Sequence, residues 1–417
     1  MKQYRYLTQI LILTILAFFL VTCDNTPIFF SLEKAYKTSD DRGLEDDIVI
    51  EKIVWTGSEY FVHGQSVYKR AQGTSSTWQE VPPPAGGAAC GGLEYFGTEI
   101  FAWFYDSKDL EPVGLYSRVP GDPASDPWTG PITDTDWDVP IGNWPDEQFR
   151  VYFVKAAGTQ LFVSTSVYDD NAGTTSYTLY YSGNGAPDSF TASGGVSTDS
   201  QIVDVEWDGS SYWAITTPGV SVGDNPTFLY EDVGGVPDAF LDRSQDAGVP
   251  AFWKNGSDDP LGTSYTADSL YYASTAGELY LSGWHGRIFI HDVGGWSDFT
   301  DRKTVEVGNE DRTVEFTAFV ENTNESQIFV GSIRYGFFYF SDGYTSATSL
   351  VPSNIVAADS PYEYFPNELK NGGIRNFLVD TEDPPDNTIG DIMFACTAGA
   401  GLWRGDWDGV KWIWKQE

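Results

Sequence analysis

Seven times along this chain a turn led by Gly or Ser runs into a pair of apolar or aromatic residues, and each time a second such pair follows. Clear copies of the first unit are Gly57-Ser58-Glu59-Tyr60-Phe61, Gly97-Thr98-Glu99-Ile100-Phe101, Gly158-Thr159-Gln160-Leu161-Phe162, Gly209-Ser210-Ser211-Tyr212-Trp213 and Gly390-Asp391-Ile392-Met393-Phe394. Gly277-Glu278-Leu279-Tyr280 and Ser326-Gln327-Ile328-Phe329 are looser copies. The second unit is Val67-Tyr68, Leu115-Tyr116, Leu179-Tyr180, Leu229-Tyr230, Ile288-Phe289, Phe338-Tyr339 and Leu402-Trp403, at intervals of 48, 64, 50, 59, 50 and 64 residues. A period of that length is too long for a parallel β-helix, and a two-sheet sandwich would not repeat one signature seven times.

Each unit reads as strand, Gly turn, strand, short loop, strand, polar loop, strand. Residues 202–231 show it: Ile202 to Trp207, a turn at Asp208-Gly209, Tyr212 to Thr216, a polar loop, then Phe228 to Glu231. Asp-Gly between apolar runs is a strong hairpin signal, because both residues tolerate the positive φ that tight turns need. Four-stranded repeats of this length are propeller blades, with the excess residues in Gly-, Pro- and Asp-rich insertions. The expectation is an all-β chain: a single seven-bladed β-propeller from residue 48 to 417, four antiparallel strands per blade, with Lys411-Trp412-Ile413-Trp414 as the last strand of blade 7. Composition agrees, since aromatics make up 16% of the chain against two Met and three His.

The N-terminus is a different matter. Lys2 and Arg5 precede an apolar run from Ile10 to Val21 that ends at Thr22-Cys23. A basic start, an apolar stretch of a dozen residues and a small-residue boundary describe a secretory signal peptide over residues 1–22, too short for the ~20 residues of a spanning helix. Leu20-Val21-Thr22-Cys23 resembles the lipobox of bacterial lipoproteins, which implies lipidation at Cys23, a tether over residues 23–47, and a cell-envelope location on the outer membrane, the periplasmic face or the surface. The formal charge of −36 becomes −38 without Lys2 and Arg5. That excludes a nucleic-acid partner and leaves the lipid as the only membrane attachment. Cys90 and Cys396 each sit in an apolar run and read as buried free thiols. With no C-x-x-C and scattered histidines (His63, His285, His291), no metal or other cofactor is expected.

Ser182-Gly183-Asn184-Gly185 before Phe190, Ser341-Asp342-Gly343, and Asp408-Gly409 before Trp412 resemble degenerate Asp-box turns of the sialidase-type repeat family. In that family the box is a structural turn, so the resemblance implies fold and no activity. A sialidase-type site would need three arginines, a Tyr nucleophile paired with an acid, and an acidic proton donor. Only 12 Arg occur, and of these Arg150 and Arg375 fall near the start of first strands, where they would face the central channel. Glu51, Asp204 and Glu315 fall in other expected first strands, and read as inter-blade ion pairs ahead of paired carboxylates for glycoside hydrolysis. Asp134-x-Asp136-x-Asp138 lacks the Gly and Glu of a calcium loop, having Val139 and Pro145 there, and reads as a solvated acidic loop.

The insertion from Pro120 to Pro145 carries Trp128, Trp137 and Trp144 among acidic residues. Two readings stand side by side: aromatic anchors of a binding surface for a basic protein or a neutral glycan, or caps on hydrophobic gaps between blades. The function expected is a non-catalytic binding or assembly module for an envelope protein or neutral glycan. The alternative is a sialidase-like enzyme or lectin. The candidate binding residues are Trp128, Trp137, Trp144, Arg150 and Arg375; no catalytic residue is assigned.

Overall fold

The computed structural model describes residues 44, 48–73, 77–108, 112–132, 147–169, 172–196, 198–217, 229–232, 234–244, 267–283, 288–300, 304–307, 310–323, 327–340, 355–357, 373–380, 391–407 and 412–417. The strands lie within one compact unit, residues 41–415 with Glu417. Cys23, Trp137, Trp144, His285 and the Asp134–Asp138 run lie outside the described residues. Among the described residues no helix is long and apolar enough to cross a membrane.

The architecture is a seven-bladed β-propeller. Blade 1 is β1 (Lys52–Trp55), β2 (Glu59–His63), β3 (Val67–Ala71) and β4 (Gln79–Val81). Blade 2 is β5 (Ala88–Phe96), β6 (Glu99–Asp106) and β7 (Pro112–Arg118). Blade 3 is β8 (Glu147–Ala157), β9 (Gln160–Asp169), β10 (Thr174–Ser182) and β11 (Thr191–Ala192), and blade 4 is β12 (Gln201–Trp207), β13 (Tyr212–Thr217), β14 (Leu229–Asp232) and β15 (Leu241–Asp242). Blade 5 is β16 (Ala267–Ala273), β17 (Glu278–Gly283), β18 (Ile288–Asp292) and β19 (Gly295–Thr300). A separate hairpin follows, β20 (Thr304–Val307) with β21 (Glu310–Thr313). Blade 6 is β22 (Phe316–Asn322), β23 (Gln327–Ser332), β24 (Phe337–Phe340) and β25 (Ile355–Ala357); blade 7 is β26 (Ile374–Asp380), β27 (Ile392–Thr397), β28 (Leu402–Trp407) and β29 (Trp412–Gln416). Strands pair antiparallel in sequence order within each blade. Each first strand lies against the first strand of the next blade, and β26 lies against β1, so the ring closes.

All fourteen apolar pairs fall on second and third strands, and the packing explains why they are pairs. A blade is buried on both faces, so consecutive residues of a second strand go to opposite neighbours. Ile100, Ala102 and Phe104 of β6 join a cluster shared with blade 1, while Phe101 and Trp103 join one shared with blade 3. In β27, Ile392, Phe394 and Cys396 pack toward blade 1 and Met393 and Ala395 toward blade 6. The buried apolar residues described sort into seven clusters, one per blade interface.

Two features depart from the simple repeat. Blade 2 has three full strands, and its fourth position is a single bridge, Thr129 to Ser117. The first half of the 120–145 insertion therefore builds blade 2. In addition, six first strands carry a register shift at the same place, bulging out Gly91, Tyr152, Val203, Asp268, Thr317 and Arg375. A bulge inserts one unpaired residue and re-aims the chain around it. The turn from Ser182 to Ser189 in blade 3 is held by Gly185 N–H donating to Ser182 Oγ at 2.8 Å and Ala186 N–H to Asn184 Oδ1 at 3.0 Å. Gly185 takes a φ of +68°, and a Cβ there would lie 2.3 Å from the Phe101 ring. The other two Asp-box-like turns lie outside the described residues.

Candidate functional site

First strands run from one face of the ring to the other, so that starting face also carries the β2–β3-type turns and the crossovers between blades. An open cavity of about 700 Å³ lies there, over blades 1 to 4. Its sides come from Glu51 and Lys52, from Gly91 and Gly92, from β8 between Arg150 and Lys155, and from Val203 and Asp204. Trp103 and Tyr105 form an aromatic wall. The volume falls within the roughly 300–1,000 Å³ usual for ligand pockets.

Most charges at this mouth are engaged across blade boundaries. Lys52 Nζ of blade 1 donates to Glu94 of blade 2 at 2.6 Å, and the same carboxylate oxygen accepts Ala156 N–H of blade 3 at 3.0 Å. Lys155 of blade 3 meets Asp204 at 2.8 Å and Glu206 at 3.1 Å, both in blade 4, while Asp204 accepts Leu270 N–H of blade 5 at 2.8 Å. Burial works against the Lys155 charge, but the two carboxylates outweigh it and hold the ammonium above its ordinary range. Arg375 sits 3.6 Å from Glu51 across the closing seam, with both side chains well exposed, so the pair contributes little. Thr317 donates to Ile374 O at 2.6 Å, and Ile53 N–H to Asn376 at 3.3 Å. These polar groups are the bonds that hold blade to blade.

Arg150 differs. It is exposed at the cavity and makes no ion pair among the described residues. The structure thus separates the two arginines named from sequence: Arg375 is paired with a blade 1 carboxylate, and Arg150 alone among arginines lines the cavity. Trp128 is 6% exposed, 5.1 Å edge-on from Phe104, with its indole N–H on Pro82 O at 3.0 Å. It caps the seam between blades 1 and 2. Glu315 precedes β22, and its carbonyl accepts Ile333 N–H at 2.9 Å.

Two tyrosine–carboxylate pairs are described, and neither lines the cavity. Tyr60 hydroxyl in β2 donates to Asp380 at the end of β26, across the closing seam, and Tyr280 hydroxyl to Glu278 at 2.5 Å within β17, and all four residues are buried. Burial and the Glu278 charge push the Tyr280 hydroxyl up, away from a phenolate nucleophile. His63 lines the cavity but is buried, which lowers its pKa to about 4 and keeps the ring neutral near pH 7. Cys90 and Cys396 are free and buried; burial pushes the Cys90 thiol up to about 12 and Cys396 upward as well. Such thiols are poor nucleophiles. Among the described residues no three His, Cys, Asp or Glu side chains are grouped so as to hold a metal.

No protein-family model matches the chain, and no curated protein matches it. Among solved structures it is similar to the WD40 β-propeller domain of Doa1, at 10% identity and a TM-score of 0.46, over 90% of this chain and 95% of that one. It is similar to Raptor of Chaetomium thermophilum at 13% identity and 0.47, over 88% of this chain and 29% of that one. A structure from a study of two prolyl endopeptidases gives 11% identity and 0.47, over 89% of this chain and half of that one.

Proposed function

We propose that this chain is a non-catalytic binding module of the bacterial cell envelope, anchored by lipid at Cys23, which presents the cavity face of its propeller to a protein partner. One observation carries the reading: of the charged side chains that sequence places at the channel mouth, Glu51, Asp204 and Arg375 are engaged across blade boundaries, while Arg150 stays exposed at the cavity. A glycosidase needs two carboxylates facing one site. Here Glu51 lies on Arg375, and the two carboxylates that do meet, Asp204 and Glu206, are both bound to Lys155 across the boundary between blades 3 and 4. What remains is a ring with an open cavity on one face, and binding residues on such scaffolds sit where loops and strand ends vary.

Two experiments test it. Pull-down from solubilised membranes with the full chain should capture a specific protein, while a panel of fluorogenic glycosides should show no turnover. Turnover abolished by Arg150→Ala would overturn the reading in favour of an enzyme. For the anchor, Cys23→Ala should move the protein from the membrane to the soluble fraction, and unchanged fractionation would refute lipidation.

A further inference from the structure

Blade 3 stands higher than its neighbours. In β8 five residues, Glu147 to Val151, pair with β9 ahead of the bulge at Tyr152. The corresponding number is three in blade 2, two in blade 4, and one in each of blades 5, 6 and 7. At about 3.3 Å per residue, β8 rises roughly 7 Å beyond blade 2, about 10 Å beyond blade 4 and about 13 Å beyond blades 5 to 7. β9 and β10 rise with it, paired as far as Asp169 and Thr174. β8 is the innermost strand of its sheet, and among the described residues no strand pairs with its other edge, where Ala156 N–H near the far end is taken by Glu94. Six consecutive residues of it, Arg150 to Lys155, line the cavity.

An unpaired strand edge offers backbone donors and acceptors at a two-residue spacing, which is what an extended peptide needs in order to add as a further strand. The five residues from Glu147 to Val151, ahead of the bulge at Tyr152, keep that spacing and span about 16 Å. The aromatic wall of Trp103 and Tyr105 gives apolar side chains of such a peptide somewhere to lie. Charge selects the remainder. The other basic groups of the cavity are held by carboxylates, Lys52 by Glu94 and Lys155 by Asp204 and Glu206, whereas Arg150 is exposed.

We propose that the free edge of β8 receives an extended, largely apolar peptide segment of a partner protein, with one Asp or Glu side chain of that segment on the Arg150 guanidinium. This deepens the scaffold reading and rests on it. The overall charge of −36 does not forbid a single carboxylate. Exposed charges are screened within ~8 Å at physiological salt, while a guanidinium and a carboxylate in contact form charge-assisted hydrogen bonds. A segment with several acidic residues would lose more to the field than Arg150 returns.

The test uses the full chain, purified, on an array of immobilised octapeptides with alternating Val and Thr. The central position is Glu, Asp, Gln, Asn or Lys, and a parallel set is N-methylated at alternate backbone nitrogens. Wild type should hold the acidic peptides roughly ten- to hundred-fold more tightly than their amides, the range expected for hydrogen bonds to a charged group. Arg150→Gln should erase that preference, Arg150→Glu should invert it toward Lys, and N-methylation should abolish binding. Near-UV circular dichroism checks that both variants keep the fold, as an exposed side chain permits. Equal binding of Glu and Gln peptides, indifference to N-methylation, or no peptide binding would overturn the proposal. If wild type and Arg150→Glu capture the same membrane partner equally, this proposal falls and the scaffold reading stands; if wild type captures none, the scaffold reading itself falls.

Discussion

The charged residues of the inner strands have two possible employments, facing a ligand or facing the next blade, and residue type alone does not decide between them. Arg150 and Arg375 look equivalent in sequence, each near the start of an expected first strand, yet one faces the cavity and the other a glutamate. The difference is set by which residue the adjacent blade presents, some 320 positions away in the chain for Glu51 and Arg375. The same long-range logic produces the most buried ion pair described. Arg70 is 2% exposed, bound to Glu417, and flanked by the rings of Trp78 at 4.9 Å, Tyr60 at 5.4 Å and Phe394 at 5.5 Å. Arg70→Ala would leave the Glu417 side chain buried without its cation, so urea denaturation should show a loss of about 3–5 kcal/mol, whereas Arg70→Met with Glu417→Leu should lose much less. Equal losses would mean that packing, and not charge, dominates there. His63 gives a pH signature. Between pH 6.5 and about 4 the unfolded chain takes up a proton that the buried ring refuses, so stability falls as pH drops through that window and is unaffected by this group above it. The contribution is about 3 kcal/mol. Wild type should therefore lose more stability than His63→Gln between pH 7 and pH 4, and parallel losses would contradict the buried neutral ring.

Strands were legible because burial on two faces writes itself into the sequence as adjacent apolar residues. Tyr60-Phe61 and Met393-Phe394 each divide between two neighbouring clusters. The bulges were not legible, since Gly91, Tyr152, Val203, Asp268, Thr317 and Arg375 share no chemistry; what they share is a position where the strand must turn to meet the next blade. The height of β8 was hidden for a related reason, because pairing length depends on the partner strand and Phe149-Arg150-Val151-Tyr152 looks like any first strand. Blade 2 shows how an insertion can conceal an element. Arg118 donates to the carbonyls of Asp122, Pro123 and Asp126, and Gly121 N–H to Glu59 at 2.7 Å, so the chain after β7 is clasped to blades 1 and 2 before Thr129 bridges Ser117. Trp128 closes that arrangement. Trp128→Ala should cost about 3–5 kcal/mol, the range for removing a large buried aromatic. A loss below 1 kcal/mol in denaturant melts would return Trp128 to the set of surface anchors.

At the scale of the molecule, a ring of seven blades must hold at one seam where no covalent connection runs, between blades 7 and 1. Here the seam joins Tyr60 to Asp380, Asn376 to Ile53, Arg70 to Glu417 and Val49 to Ala398, around an apolar cluster of Ile53, Tyr60, Phe394 and Leu402. The seam leaves the two faces of the ring different. One carries the strand starts, the cavity and the raised edge of blade 3; the other carries third-to-fourth strand turns such as Asp292-Val293-Gly294, where Val293 is fully exposed. On the proposed function, partners engage the first face. Site-specific photo-crosslinking tests it most directly, with a benzophenone amino acid placed at Tyr105 on the cavity wall and, separately, at Val293 on the opposite face. A discrete crosslinked protein is expected from position 105 in intact membranes and none from position 293. A crosslink from position 293 with none from position 105 would contradict it.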